Sequence, residues 1–383
     1  MAVPQPPVLG VGMVGYAFMG AAHSHAWRTA GRFFDLPLAP ELTALCGRDA
    51  VSASAAAARL GWGSVETDWK ALVARDDIAL VDICSPGDTH ADIAIAALAA
   101  GKHVLCEKPL ANTVAEARAM AEAADRAAER GVRSMVGFSY RRVPALALAR
   151  RLVEQGRLGE IRHVRAAYLQ DWIVAPEFPL VWRLRREVAG SGALGDIGAH
   201  IVDLAQYLTG DRLTGVCAMT ETFIRERPLP DSDGAVGTVT VDDTALFLGR
   251  FTGGAVASFE ATRFAAGRKN SLRIELNGSR GSLAFDLEAM NELQFYDGTD
   301  DPDIAGFRRI LVTEPSHPYV GAWWPPGHLL GYEHTFTHQA VDLVNGIGAG
   351  TDPAPSFADG LQVQLVLDAV ERSAASDGAW HAV

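Results

Sequence analysis

Three residues have the types and settings of a site that moves a proton and a hydride: Lys108, Asp196 and His200. Lys108 lies in Glu107-Lys108-Pro109, directly after the apolar run Val104–Cys106. Ligands of an open α/β sheet sit at the carboxyl ends of its strands, and a proline there stops further ladder pairing. The chain has only four lysines, so one in a tight turn beside such a crevice stands out. The run Gly190–His200 is a glycine-rich approach to a helix. Asp196 and His200 are four apart, so a helix carries them on one face, with Asp196 in the first turn where its charge suits the dipole. Oxidising a secondary alcohol needs a base for the hydroxyl proton, and histidine titrates in the right range. It also needs a donor for the developing alkoxide, which an ammonium supplies. The expected roles are therefore His200 as base, Lys108 as oxygen polariser, and Asp196 as an orienting group or partner of a neighbouring hydroxyl. The plainer alternatives are a solvated lysine, a helix-capping aspartate and a packed histidine.

A dinucleotide site is expected upstream. Gly10-Val-Gly12-Met-Val-Gly15 matches G-x-G-x-x-G literally, but prolines precede it where a strand should run. The better frame is Gly15-Tyr16-Ala17-Phe18-Met19-Gly20, which follows VGMV and opens a helix whose first N–H groups would hold a diphosphate. Alanine stands where the fingerprint has its middle glycine. The second strand ends Cys46-Gly47-Arg48-Asp49; an acid there accepts the ribose of NAD, whereas Gly47 and Arg48 lean towards the 2′-phosphate of NADP. The expected cofactor is thus NAD or NADP.

These motifs need elements to hold them. Short apolar runs alternate with Ala-rich helices over the first part: strands at 11–14, 42–46, 79–84, 104–106 and 134–138, helices at 19–29, 52–60, 89–99 and 114–130. That is the βαβ pattern of a parallel sheet. Beyond Pro144 come a helix at 145–154, an alternating run at 161–172, a helix at 196–208, hairpins within 236–264 and in LRIELNGSRGSLAFDL, and helices near 332–345 and 358–373. The expected architecture is α/β: an N-terminal Rossmann dinucleotide-binding domain over 1–143, then an α+β domain over 144–383 with a large, mostly antiparallel open sheet.

The 383 residues are 49% hydrophobic and 21% charged, a globular composition, and the net charge of −12 disfavours a nucleic-acid partner. The N-terminus lacks a leader-like pattern and no apolar run is long enough for a bilayer, so a cytoplasmic protein is expected. Cys46, Cys84, Cys106 and Cys217 read as buried thiols. His23 and His25 read as packing or solvated residues. His334 and His338, with Glu333, have zinc-like spacing but no third ligand nearby, so no metal is expected.

The chain resembles the glucose–fructose oxidoreductase/inositol dehydrogenase/rhizopine catabolism family, Gfo/Idh/MocA. The likeness rests on the Gly15–Gly20 turn, Ser85-Pro86 with His90, Glu107-Lys108-Pro109, Gly137-Phe138-Ser139-Tyr140-Arg141, Trp182-Arg183, the run Gly192–His200 and Pro355–Gly360. It implies a sugar or polyol dehydrogenase with Lys108, Asp196 and His200 catalytic. It also implies cofactor contacts from Gly15, Ala17, Phe18, Met19, Gly20, Gly47, Arg48, Ser85, Pro86, His90, Glu107 and Lys108. Members that oxidise a pyranose hydroxyl at the third carbon are nearest in type. Against them the substrate pocket falls at Tyr140, Gln170 and Trp172, joined by Asp196 and His200. The family further implies a homo-oligomer, dimer or tetramer, formed through the second domain's sheet. Two other readings stay open: a reductase of a keto sugar or imine, and a dinucleotide-sensing regulator without turnover, against which the three catalytic types together argue.

Overall fold

The computed structural model describes residues 6–230, 232 and 234–383. The N-terminal stretch read as leader-free begins in residues 1–5, outside the described residues. The chain divides into two compact units: residues up to 142 with 330–361, and residues 143–329 with 362–383.

The first unit runs β1 (Val8–Val14), α1 (Phe18–Phe33), β2 (Ala39–Cys46), α2 (Ala50–Leu60), β3 (Ser64–Glu66), α3 (Trp69–Val73), β4 (Leu80–Ile83), α4 (His90–Ala99), β5 (His103–Cys106), α5 (Val114–Ala128) and β6 (Ser134–Val136). Six parallel strands pair in the order β3-β2-β1-β4-β5-β6, so the order reverses between β1 and β4. Helix ends follow local chemistry. The Asp49 side chain accepts from Ser52 N–H to start α2, left-handed Gly61 ends it, and a Thr113/Glu116 capping box starts α5. Val11, Met13, Leu45, Leu80 and Leu105 fill the sheet core, each burial contributing about 1.5–3 kcal/mol.

The second unit holds α6 (Pro144–Glu154), β7 (Ile161–Leu169), α7 (Arg186–Ala189), α8 (Ala199–Thr209), β8 (Leu213–Glu221), β9 (Glu226–Pro228), β10 (Val236–Thr238), β11 (Thr244–Phe251), β12 (Val256–Thr262), β13 (Ser271–Gly278), β14 (Gly281–Asp286), β15 (Glu292–Asp297) and β16 (Arg308–Leu311). With β17 (His381–Ala382) at one edge, its nine-stranded sheet, β16-β15-β14-β13-β7-β12-β11-β8-β17, is antiparallel except where β7 meets β12. The last elements are α9 (Tyr332–Ala349), α10 (Phe357–Ala374) and β17 (His381–Ala382).

Three expectations change. β3 and α3 are elements the sequence reading missed, both too short to carry a periodic signal. The decoy glycines Gly10 and Gly12 lie inside β1, which starts directly after Pro7. And α9, expected with the second domain, belongs to the first unit. Its Phe336, Ala340, Val341 and Val344 share one buried cluster with Ala26, Trp27 and Ala30 of α1. Among the described residues no helix is long and apolar enough to cross a membrane.

Candidate active site

In the first unit, the loops after β1, β4 and β5 frame the point where strand order reverses, the crevice such sheets use for dinucleotides. Gly15 has φ +98, and a methyl there would lie 2.8 Å from the Cys84 carbonyl. Only glycine permits that turn. A methyl at Gly20 would run into the Gly15 carbonyl, so the helix–turn approach needs glycine too. Exposed Ala17 is the N-cap of α1 and no side chain caps the helix. An uncapped helix start behind a tight glycine turn fits a diphosphate. Phe18 is exposed and stacks on Tyr332 at 6.2 Å; Met19 is half-buried.

Gly47 is explained by a neighbour: its Cβ would strike the Tyr16 ring. Asp49 is occupied as the α2 cap, and Arg48 is exposed at the strand end. Ser85 Oγ pairs with Thr89 Oγ1 at 2.6 Å, and Pro86 leads into a short 3-10 turn. His90 is buried beneath these loops, with Nε2 2.9 Å from the Ser85 carbonyl and Nδ1 3.1 Å from that of Pro109. It therefore braces the two loops that flank Lys108.

Glu107 has a comparable task, with a partner the sequence did not suggest. Its Oε1 accepts from His23 Nε2 at 2.9 Å, while Asp82 accepts from His23 Nδ1 at 2.9 Å and from Trp27 Nε1 at 2.7 Å. Burial, the largest single influence, works against a charged ring here, but the charges and hydrogen bonds of Asp82 and Cys84 together hold His23 well above the usual histidine range. Of the packing and solvated roles expected for His23, burial excludes the solvated one: the ring is packed between two carboxylates, a setting that favours its charged form. His23, Asp82 and Cys84 also cluster closely enough for a metal ion, yet both ring nitrogens already donate to carboxylates. Glu107 Oε2 in turn accepts from the Lys108 N–H at 3.3 Å. Half-buried Lys108 follows at the end of β5. Tyr140 is buried against Tyr332, ring centroids 6.2 Å apart. His338, half of the zinc-like pair, is spent on the Arg142 carbonyl at 3.0 Å.

The second unit holds Asp196 and His200. The expected helix over 196–208 begins instead as a π-helical turn, Leu194–Gly198, that passes into α8. π turns inside helices frequently mark functional sites. The capping role, the plainer alternative for Asp196, is filled by Asp242, whose carboxylate accepts from Gly192 N–H at 2.7 Å and Leu194 N–H at 2.8 Å. Asp196 is thereby released from capping and lies 3.7 Å from Arg263 Nη1.

A chain of contacts surrounds the pair. The His200 ring lies 5.8 Å from that of Tyr168. Tyr168 Oη donates to Asn270 Oδ1 at 2.7 Å, which also accepts from Gln170 Nε2 at 2.8 Å. Gln170 Oε1 accepts from Trp172 Nε1 at 3.0 Å, and the Arg263 guanidinium lies 5.4 Å from the Trp172 ring. Residues 168 and 170 alternate at the end of β7, the spacing that aims side chains to one face, and Trp172 follows in the turn beyond it. Buried Arg227 fixes the following loop by donating to the carbonyls of Ala175 and Ile173.

So the structure joins Gln170, Trp172, Asp196 and His200 through contacts within one unit; Lys108, Tyr140 and the glycine turn belong to the other. Tyr168, Asn270, Arg263 and Asp242 escaped the sequence reading. Only the period-2 pattern of β7 could have drawn attention to Tyr168.

Residues 9–138 match the oxidoreductase family with an NAD-binding Rossmann fold, and residues 146–284 the GFO/IDH/MocA C-terminal domain. The chain belongs to the GFO/IDH/MocA family. It is an oxidoreductase with an NAD-binding Rossmann domain. It is 42% identical to levoglucosan dehydrogenase of Pseudarthrobacter phenanthrenivorans over 96% of this chain and 97% of that protein. Among solved structures, an oxidoreductase domain protein from Kribbella flavida is 68% identical, with a TM-score of 0.96 over 98% of this chain and 99% of that one. A levoglucosan dehydrogenase complex with NADH and levoglucosan is 43% identical, with a TM-score of 0.93 over the same shares.

Proposed function

We propose that this chain oxidises a secondary hydroxyl of a pyranose or anhydrosugar of the levoglucosan type, with the first unit, residues up to 142 and 330–361, serving the dinucleotide and the second, 143–329 and 362–383, the sugar. The observation that carries this is the linked set Asp196, Arg263, Trp172, Gln170, Asn270, Tyr168 and His200, which surrounds an acid–base pair with amides and a flat indole. A sugar offers hydroxyls to the amides and an apolar C–H face to the indole. The family likeness to levoglucosan dehydrogenase supports the same substrate class.

Bound NAD supplies the hydride acceptor. His200 takes the hydroxyl proton as the C–H bond breaks. Lys108 donates a hydrogen bond to the same oxygen and stabilises its growing negative charge. Asp196 accepts from a neighbouring hydroxyl, Trp172 supports the ring and the Gln170 amide reads a further oxygen. Buried Glu107 and His90 hold the Lys108 loop while taking no part in proton transfer.

We take NAD rather than NADP as the cofactor. Gly47 answers to Tyr16, which removes half of the sequence argument for a 2′-phosphate and leaves only exposed Arg48; solved relatives carry NADH. We also assign a homo-oligomer. One face of the large sheet forms a groove of about 1090 Å³ lined by Met219, Leu246, Leu248, Arg165, Glu260 and Arg273, among others. Exposed apolar strand residues between charges of both signs suit a second copy of the same face. The four thiols are unpaired, which fits the reducing cytoplasm.

Absorbance at 340 nm is the test, run with NAD and NADP separately over sugars, inositols and anhydrosugars. Turnover of an anhydrosugar or pyranose with NAD is expected. Dinucleotide binding with no turnover on any of them would favour the regulator reading, and activity confined to keto sugars or imines the reductase reading.

A further inference from the structure

Arg263 follows directly on β12 and its side chain is fully buried. A buried guanidinium normally has its donors satisfied, because leaving them unmet is costly. Among the described residues, Nε and Nη1 have no hydrogen-bond partner, and only Nη2 donates, to the Asp242 carbonyl at 3.1 Å. Nη1 is instead turned towards the Asp196 carboxylate at 3.7 Å, and the flat guanidinium lies 5.4 Å from the Trp172 ring. The backbone makes room for this: a methyl at Gly192 would run into the Asp242 carbonyl and lie 2.8 Å from Arg263 Nη2. Asp242 thus serves two ends, its carboxylate starting the π turn and its carbonyl holding Arg263.

We infer that Arg263 is a positioning residue of the reaction, whose guanidinium fixes the Asp196 carboxylate and the Trp172 indole in one relation. The inference rests on the assignment of Asp196 and Trp172 to the sugar site above, and adds the residue that couples them. Arginine suits the task because one planar cation offers both a charge for a carboxylate and a face to stack on an indole; lysine is a compact point charge with no such plane.

Other groups must be weighed before a pH effect is ascribed to this pair. The elements packed against the π turn carry His200 and Asp203 on α8, Asp242 and Asp243 before β11, Arg250 exposed on β11, and Glu260 on β12. Glu260 lines the groove on the sheet face. Asp243 Oδ2 accepts from the N–H groups of Phe223 and Ile224 at 2.7 and 3.2 Å; burial raises its affinity for a proton, and the charges of Arg263 and Arg227 work against that. Arg227, the other buried cation of the cluster, is bonded to main-chain carbonyls. Arg263, with Nη1 3.7 Å from its carboxylate, is thus a cation placed to act on Asp196 as well as on Asp243.

The test compares Arg263→Met and Arg263→Lys with Asp196→Asn in the full chain, reading three quantities: the pH profile of kcat/KM for the sugar, the sugar KM, and the Kd of NADH by its fluorescence. Losing the neighbouring cation should move the Asp196 limb up by about one to three pH units in Arg263→Met. Losing the indole contact should raise the sugar KM roughly 3- to 30-fold in both variants. Arg263→Lys keeps the limb near its original position, and the NADH Kd stays unchanged. Should Arg263→Met fail to fold, Arg263→Lys alone decides: a raised sugar KM with an intact limb supports the role. Wild-type values of sugar KM in a folded Arg263→Lys protein, or parallel loss of sugar and NADH binding, overturn it. If Asp196→Asn keeps full activity and an unchanged pH profile, the underlying site assignment fails. If Asp196→Asn is impaired while both Arg263 variants behave as wild type, only the present inference fails.

Discussion

Replacing Asp82 with asparagine should cost the first unit a large part of its stability. Asp82 is fully buried, 2.9 Å from His23 Nδ1 and 2.7 Å from Trp27 Nε1. Asparagine has nearly the same shape and its oxygen can still accept from Trp27, so packing is kept while the negative charge disappears. His23 is then a buried ring without its main charge partner, and burial favours the neutral form. A neutral imidazole has one N–H, so it cannot donate towards both position 82 and Glu107. Removing one partner of a buried ion pair costs about 3–5 kcal/mol. For a domain of this size that is a fall in Tm of roughly 6–20 °C, at about 2–4 °C per kcal/mol. The sign of the pH dependence follows from the raised affinity of His23 for its proton. Its contribution is fully present below the unfolded value of about 6.5 and is lost as pH rises through the folded value. Urea denaturation followed by circular dichroism between pH 6 and 9 therefore should show wild type losing stability towards alkaline pH and Asp82→Asn lacking that slope. Equal midpoints for the two proteins at pH 6 would refute the charged-bridge reasoning.

Other outcomes follow from the same geometry. Lys108→Ala and His200→Ala should each lower kcat by roughly 10²–10⁴, with NADH binding retained in His200→Ala when measured by fluorescence titration. Burial holds His338 down to about 3; such a ring destabilises the native state as pH falls below about 6.5, by up to roughly 1.4 kcal/mol per pH unit. His338→Phe should flatten the acid limb of stability in denaturant titrations between pH 4 and 7. Leu248, 55% exposed on the open sheet face, should when changed to aspartate shift the particle from oligomer to monomer in light scattering after gel filtration.

The Gly15–Gly20 turn was legible because its signal is local: a strand, a glycine that alone tolerates the turn, and a helix directly after it. Lys108 was legible for the same reason, standing at a strand end beside a proline. The bridge at His23 was not, because its partners Asp82 and Glu107 lie 59 and 84 positions away. A histidine in a helix looks the same in sequence whether it is solvated or clamped. The π turn at Leu194–Gly198 was read as ordinary helix because what starts it is Asp242, a residue on another loop. Periodicity revealed that α9 exists but not which core it joins: its apolar stripe fits helix α1 of the first unit, and a stripe does not name its partner. Arg263 follows directly on β12, where residue type alone suggests no more than a solvated arginine. Its meaning lies in Trp172 and Asp196, which only the folded chain brings to it.

The most direct test of hydride removal from a sugar carbon uses isotope. Levoglucosan carrying deuterium at its third carbon is incubated with the enzyme and NAD, and the nicotinamide product is weighed by mass spectrometry. One deuterium gained by the reduced cofactor, absent when Lys108 or His200 is alanine, is the predicted result. Reduced cofactor formed without deuterium would place the oxidised carbon elsewhere, and none formed with any sugar offered would contradict the account.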